Sequence, residues 1–182
     1  MIITGKYPKL RMRRSRKTDW MRRLVRENSL SSNDFILPIF VTEGKNKKIP
    51  IKTMPEVFRY SVDKLGQIVD RALKLKIPMV AIFPQTNSGL KDSYGSEALN
   101  ENNLVCKAIR KIKDKYRNEI GIMTDVALDP YTSHGQDGII DKKGYIVNDD
   151  TNNILVKQAL SHAKSGSDII APSDMMLSLI HI

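Results

Sequence analysis

Cysteine, long apolar runs and the common nucleotide-binding motifs are nearly or wholly missing from this sequence. Its one cysteine, Cys106, cannot form a disulfide within the chain. No stretch of about 18 apolar residues is present, which excludes a membrane-spanning helix, and no apolar signal core lies near the start. The P-loop and the GxGxxG, HExxH and GxSxG motifs do not occur. We therefore expect a cytoplasmic protein that contacts no membrane and lacks the chemistry tied to those motifs.

Basic residues are abundant, and they are concentrated at one end. The 182 residues are 41% hydrophobic and 27% charged, as expected of one globular domain, and the formal net charge is +10. Residues 1–30 contain ten Lys or Arg against Asp19 and Glu27, so they contribute +8 of that charge. A cluster of turn-forming residues follows at 29–34. We therefore assign residues 1–33 to a basic N-terminal arm.

Four interpretations fit the composition of the arm: binding of nucleic-acid phosphates, a transit peptide, packing on another subunit, or a solvated tail. Trp20, Met21, Leu24 and Val25 are spaced as one face of a short helix, for which Thr18 is a suitable N-cap. An apolar face favours packing on another subunit. Aromatic residues that stack on bases are sparse in the arm, which argues against nucleic acid.

Four short apolar runs recur along the rest of the chain, and each is typical of a buried parallel strand. Amphipathic spacing predicts a helix in each interval between them, the first with Ser61 as its cap and the last ending at Gly166. This alternation predicts an α/β fold, and both a doubly wound sheet and a (β/α)8 barrel fit it. The predicted strands cover 35–41, 79–84, 120–128 and 168–174; the helices cover 61–76, 103–116 and 151–166; a hairpin is expected within 47–60.

Polar and acidic residues follow the predicted strands, where α/β proteins place their chemistry. Asp125, Asp129 and Asp137 lie in DVALDPYTSHGQDG, residues 125–138, which we call the acidic loop, and Ser173 and Asp174 follow the last strand. Carboxylates without thiols suit a hard cation, Mg²⁺ or K⁺, better than Zn²⁺, and they equally suit a substrate ammonium. Alternatively, Asp129 and Asp137 only form turns.

The histidines and the cysteine are weaker candidates. His134 in the acidic loop is either a general acid or base or a structural residue of a glycine-rich turn. No role is expected for His162, on a predicted helix, or for His181 near the end of the chain. Cys106 falls within a predicted helix and has no partner thiol, so we interpret it as a packing residue.

Several long segments resemble the porphobilinogen synthase family, also called δ-aminolevulinic acid dehydratase. The acidic loop resembles its signature loop, and the similarity extends over residues 10–176 through RMRRSRKTDWMRRLVREN, FILPIFVTEG, IKTMPEVFRYSVD, AIFPQTNSGLKDSYGSEALNENNLV and SGSDIIAPSDMM. The resemblance implies a (β/α)8 barrel and a homo-octamer in which the arm wraps another subunit. It implies condensation of two 5-aminolevulinate molecules to porphobilinogen, in tetrapyrrole and heme synthesis, through two Schiff-base lysines.

The resemblance also assigns roles to individual residues. Zinc-dependent members have three cysteines where this sequence has Ala127, Asp129 and Asp137, so the chain resembles the zinc-free branch that responds to Mg²⁺ or K⁺. Asp125 and Ser173 are then expected near the Schiff-base lysines as catalytic residues. Asp129, Asp137 and Asp174 are expected to bind substrate, and Asp129 and Asp137 also to hold a cation.

The similarity stops at residue 176, and a (β/α)8 barrel needs about 250 residues. We therefore expect an N-terminal half-barrel at 34–176 and a tail unlike the family at 177–182. Both Schiff-base lysines and the allosteric Mg²⁺ ligand lie beyond the chain, so these 182 residues alone should be inactive. The alternative is a non-catalytic basic module that joins subunits or binds nucleic acid. Glu56 replaces a family glycine, which would disturb a turn that needs positive φ.

Overall fold

The computed structural model describes residues 5–173 and Met176, and the chain divides into two compact units after Ser31. The first unit contains one α-helix, α1 (Asp19–Leu24), after a 3₁₀ turn at Arg14–Arg16. Thr18 takes the predicted N-cap position, but its hydroxyl makes no capping hydrogen bond. Trp20 and Leu24 are 59% and 77% exposed, so the apolar face of α1 is largely uncovered in the single chain.

A six-stranded sheet forms the frame of the second unit, and its four predicted strands are parallel. Each end of these four strands lies within two residues of the predicted run. Each pairs with the one before it in the chain, while a hairpin occupies one edge, giving the order β2-β3-β1-β4-β5-β6. The strands are β1 (Ile36–Thr42), β2 (Lys48–Pro50), β3 (Phe58–Ser61), β4 (Met79–Gln85), β5 (Gly121–Val126) and β6 (Ile169–Pro172).

The predicted hairpin is present, and it extends the sheet in a way that was not predicted. β2 and β3 pair antiparallel, and β3 then runs parallel to the carboxyl-terminal half of β1, with Phe40 opposite Arg59. Glu56, in the connection between them, has φ of 64°. A side chain in this left-handed region costs about 1 kcal/mol that glycine avoids. The condition under which Glu56 would disturb this turn, a positive φ at its position, is therefore met.

Three long helices connect the parallel strands, and they follow the predicted spacing. They are α2 (Leu65–Lys74), α3 (Leu104–Tyr116) and α4 (Asn148–Ser165). The prediction that Ser61 caps the first helix is wrong, because its hydroxyl bonds the Lys47 backbone instead. Asn103 caps α3 by accepting the Cys106 N–H at 2.9 Å. Gly166 ends α4 in the left-handed conformation, with φ of 107°, as predicted.

The packing of the helices distinguishes between the two predicted architectures. α2 contacts α3 and α3 contacts α4, so all three lie on one face of the sheet, whereas a doubly wound fold has helices on both faces. The main apolar core fills the space between this face and the helices, with Ile39, Val80 and Ile122 from the strands and Val69 and Ile109 from the helices. Successive strand order with helices on one side is the arrangement of a (β/α)8 barrel.

Side chains alternate across the sheet, and this alternation places the candidate site. In β5 the residues Ile122, Thr124 and Val126 are buried toward the helices, while Met123 and Asp125 on the opposite face are only half-buried. Asp125 thus lies on the face that the helices leave uncovered, near the carboxyl end of its strand. Within the described part of the chain, no helix is long and apolar enough to cross a bilayer.

Candidate functional site

Two of the predicted site residues meet at the carboxyl ends of neighbouring strands. Asp125 of β5 pairs in register with Ala171 of β6, which brings Ser173, just after β6, alongside it. The Ser173 hydroxyl donates a hydrogen bond of 2.5 Å to Oδ1 of Asp125. The pair therefore presents a hydrogen-bonded carboxylate on the open face of the sheet.

Asp129 is the carboxylate of the acidic loop whose pKa the other two aspartates affect. Burial raises the pKa of Asp129 above its ordinary value, and the negative charges of Asp125 and Asp137 raise it further. The positive charge of Lys91 opposes this effect. β5 ends at Val126, so strand alternation does not reach Asp129, and the turn of the loop brings these carboxylates into range of one another.

The three aspartates do not form a ready-made metal cage. Among residues 5–173 and Met176, no three His, Cys, Asp or Glu side chains are grouped closely enough to hold a metal ion. Cys106 is buried in α3, where its sulfur lies 3.5 Å from the hydroxyl of Ser161, and it takes no part in the site. The loop therefore offers a concentration of negative charge instead of a complete first coordination sphere.

His134 serves the loop as a structural residue. The Gln136 N–H donates to its Nδ1 at 3.2 Å, so that nitrogen carries no proton. In the neutral ring the proton is then on Nε2, which donates to the Ser93 carbonyl at 3.2 Å. Both ring nitrogens are thus used in holding the loop, which favours the structural interpretation of His134 over a role as general acid or base.

The sequence did not predict that residues 91–93 hold the acidic loop in place. Lys91 Nζ donates to the Asp129 carbonyl at 3.4 Å, and the main chain of Asp92 bonds both Tyr131 and Ser133. The Asp92 carboxylate is occupied within its own loop, where it accepts two backbone N–H groups. An Asp shortly before a glycine signals such a turn. The contact with a loop some 38 residues away gives no local signal.

A polar cleft of about 380 Å³ lies beside the acidic loop, at the carboxyl ends of β1 and β4. Thr86 in this cleft is buried, and its hydroxyl has no hydrogen-bond partner in the described ranges. A second, apolar cavity of about 340 Å³ lies between the hairpin and α2 and contains none of the predicted site residues. Asp174, predicted to bind substrate, lies outside the described residues. The polar cleft is lined by Thr42, Glu43, Lys47, Gln85, Thr86, Asn87, Ser88 and Lys91.

Comparison with known proteins identifies relatives over nearly the whole chain. The family model described as delta-aminolevulinic acid dehydratase matches residues 9–182. The delta-aminolevulinic acid dehydratase of Bradyrhizobium diazoefficiens is 54% identical over 167 residues, which are 92% of this chain and 47% of that protein. The Chlamydia pneumoniae enzyme is 43% identical over 91% of this chain and 49% of its own length. The chain thus spans about half the length of the curated relatives that it matches.

A solved structure gives the same result in three dimensions. The delta-aminolevulinic acid dehydratase, or porphobilinogen synthase, of Toxoplasma gondii ME49 was crystallised in complex with the reaction product porphobilinogen. Its structure matches this one with a TM-score of 0.83 and 37% sequence identity, over 94% of this chain and 48% of that one. The predicted architecture, part of a TIM barrel built from parallel strands and helices, is confirmed by this match.

Proposed function

The chain belongs to the delta-aminolevulinic acid dehydratase family, and we propose that it forms one half of the active site of a porphobilinogen synthase. The reaction joins two 5-aminolevulinate molecules through one new carbon–carbon and one new carbon–nitrogen bond, and releases two waters. One observation carries the proposal: the Asp125–Ser173 pair and the Asp129 and Asp137 carboxylates converge at the carboxyl ends of parallel strands. In barrel enzymes this end holds the catalytic groups.

Within that site the acidic loop has a substrate-binding role. 5-Aminolevulinate carries an ammonium group at neutral pH, and Asp129 and Asp137 supply negative charge to bind and orient it. Asp125, which accepts the hydrogen bond of Ser173, is placed to accept a proton during the condensation. From the family resemblance we expect both Schiff-base lysines outside these 182 residues. We therefore expect that this half of the site binds and orients substrate but does not turn over alone.

Ligand chemistry supports a proposal about the cation. Carboxylates at 129 and 137 and an alanine at 127 provide no thiolate for Zn²⁺, so Mg²⁺ or K⁺ is the cation that suits the loop. The described residues do not fit a resident metal, since no three potential ligands are grouped. We accordingly assign no catalytic step to a cation. Its proposed role is to moderate repulsion among the aspartates.

The basic arm supports a proposal about assembly. α1 is 59% exposed at Trp20 and 77% exposed at Leu24, and apolar side chains on an uncovered helix suit a protein interface. We propose that the arm joins subunits of a homo-oligomer, an octamer by family resemblance, in the cytoplasm. Joining subunits without catalysis is the second candidate function. Light scattering should detect mixed oligomers with an intact relative in both cases, whereas only the first function also requires turnover once the carboxyl-terminal half is supplied.

A chimera tests the catalytic proposal directly. Residues 1–176 would be joined to the carboxyl-terminal half of the Bradyrhizobium diazoefficiens enzyme, and porphobilinogen formation from 5-aminolevulinate would be followed by colorimetry. We expect turnover by the chimera and none by the 182-residue chain. Asp125→Asn should lower kcat by about 10²-fold or more, as loss of a proton acceptor does, and Ser173→Ala by about tenfold. A folded but inert chimera, or native-like turnover by the 182-residue chain, would contradict the proposal.

A further inference from the structure

Three successive residues hold the acidic loop from the loop that follows β4. Lys91 Nζ donates to the Asp129 carbonyl at 3.4 Å. The Asp92 N–H donates to the Tyr131 carbonyl at 3.3 Å, and the Asp92 carbonyl accepts the Ser133 N–H at 2.8 Å. The Ser93 carbonyl accepts from His134 Nε2 at 3.2 Å. We refer to residues 91–93 as the brace, because each of them makes a hydrogen bond to the acidic loop.

The brace is itself fixed by the Asp92 carboxylate. Oδ1 of Asp92 accepts the N–H groups of Tyr94 and Ser96 at 2.9 and 3.0 Å, which closes a tight turn. Gly95 in that turn has φ of 64°, a conformation that glycine adopts without strain. Lys91 immediately precedes this hydrogen-bonded turn, and its ammonium lies beside Asp129.

Lys91 differs from the other two residues of the brace because it brings a positive charge to the acidic loop. Among residues 5–173 and Met176, no carboxylate lies within ion-pair distance of Lys91, so its charge is not neutralised by a salt bridge. It is half-buried and borders both the polar cleft and the acidic loop. The acidic loop therefore has an ammonium from the protein beside its Asp129, although no three ligands among the described residues are grouped to hold a metal ion.

We propose that Lys91 is a positioning residue for the acidic loop, and that its positive charge offsets the repulsion among the aspartates, as a bound cation otherwise would. Only the significance of the loop for substrate rests on the proposed function; the restraint itself is a property of this chain. Two consequences follow. Removal of the charge should loosen the loop, and a hard cation added to such a variant should tighten it again.

Hydrogen exchange of the 182-residue chain measures the restraint without turnover. In Lys91→Met the amides of Thr132 and Ser133 should exchange about two- to fivefold faster, as expected for loss of one partly exposed charged contact. Lys91→Arg should restore slow exchange, since it keeps the charge and donors. Lys52→Met is the matched control, because Lys52 is exposed and makes no side-chain hydrogen bond or ion pair within the described residues. Equal rates in Lys91→Met and Lys52→Met would overturn the proposal.

Titration with salts tests whether an added cation can replace the Lys91 ammonium. Adding MgCl₂ or KCl to Lys91→Met should return loop exchange toward the parent rate, while tetramethylammonium chloride at equal ionic strength should not, because it is too large and weakly hydrated to bind carboxylates closely. The parent protein should respond less to either salt. If Lys91→Met is loosened and no metal cation tightens it, the electrostatic role is wrong. An inert chimera would refute the proposed function and leave these measurements valid.

Discussion

Acidification should destabilise this chain through one side chain, His162 of α4. Its ring is fully buried, and neither Nδ1 nor Nε2 has a hydrogen-bond partner in the ranges that the structure describes. Burial lowers the pKa of His162 to about 4 from the ordinary value of 6.5. In the unfolded chain His162 is exposed to water and keeps its ordinary pKa. As the pH falls, His162 is therefore protonated in the unfolded chain before it is protonated in the folded chain.

The direction and size of the effect follow from those two pKa values. Because the pKa of His162 is lower in the folded state, the unfolded state binds more protons below pH 6.5, and unfolding becomes easier as the pH falls toward 4. Above pH 6.5 this contribution to stability is fully present. The free energy of unfolding should fall by about 2 kcal/mol at about pH 5 and by about 3 kcal/mol at about pH 4.

Urea denaturation followed by circular dichroism, at about pH 7.5, 6 and 5, measures this loss. His162→Leu is the comparison, because carboxylates titrate alike in both proteins and cancel in the difference. At neutral pH the variant should be at least as stable as the parent, since two unpaired buried nitrogens are removed. The stability difference should then change by about 2 kcal/mol in favour of the variant by pH 5. A difference that stays constant with pH, in His162→Leu and also in His162→Gln, would refute the reasoning.

Three further predictions concern a turn, a cap and the acidic loop. Glu56→Gly should raise the free energy of unfolding by about 0.5–1 kcal/mol in urea titrations because φ is 64° there, whereas Glu56→Ala should give no such gain. Asn103→Ala should cost about 1–2 kcal/mol in the same assay by leaving the Cys106 N–H without its cap, and Asn103→Ser should recover part of it. Replacing Ala127, Asp129 and Asp137 together by cysteine should create a thiolate site that retains about one Zn²⁺ per chain through gel filtration, measured by elemental analysis, while the parent retains none.

The sequence predicts the elements of this fold well because their causes are local. Four apolar runs and three amphipathic intervals place the strands and helices to within a few residues, and Gly166 is the expected helix end. Ser61 shows the limit of such reasoning, since its hydroxyl bonds the Lys47 backbone across the hairpin in preference to a nearby helix end. A cap of that kind depends on which partner the tertiary structure supplies.

The candidate site is predictable in its residue types and less so in its geometry. That Asp125 and Ser173 meet follows from neighbouring parallel strands whose carboxyl ends coincide. The contact of Lys91 with Asp129 joins two loops from different strands, and no periodicity in the sequence encodes it. The sequence does not predict the burial of His162 either, because helical spacing does not tell which polar residue of α4 faces the core.

The successive order of the parallel strands has a consequence for synthesis. β1 pairs with β4, β4 with β5 and β5 with β6, so each parallel strand that is added pairs with one already made and waits for the next to cover its other edge. The partner of Ile36 is Met79, 43 residues later, and a ribosome adding about 5–20 residues per second takes roughly 2–9 s to reach it. Helices and hairpins form within microseconds. The newest strand therefore presents an unpaired apolar edge for seconds at every step, which is when a holdase chaperone would bind this chain.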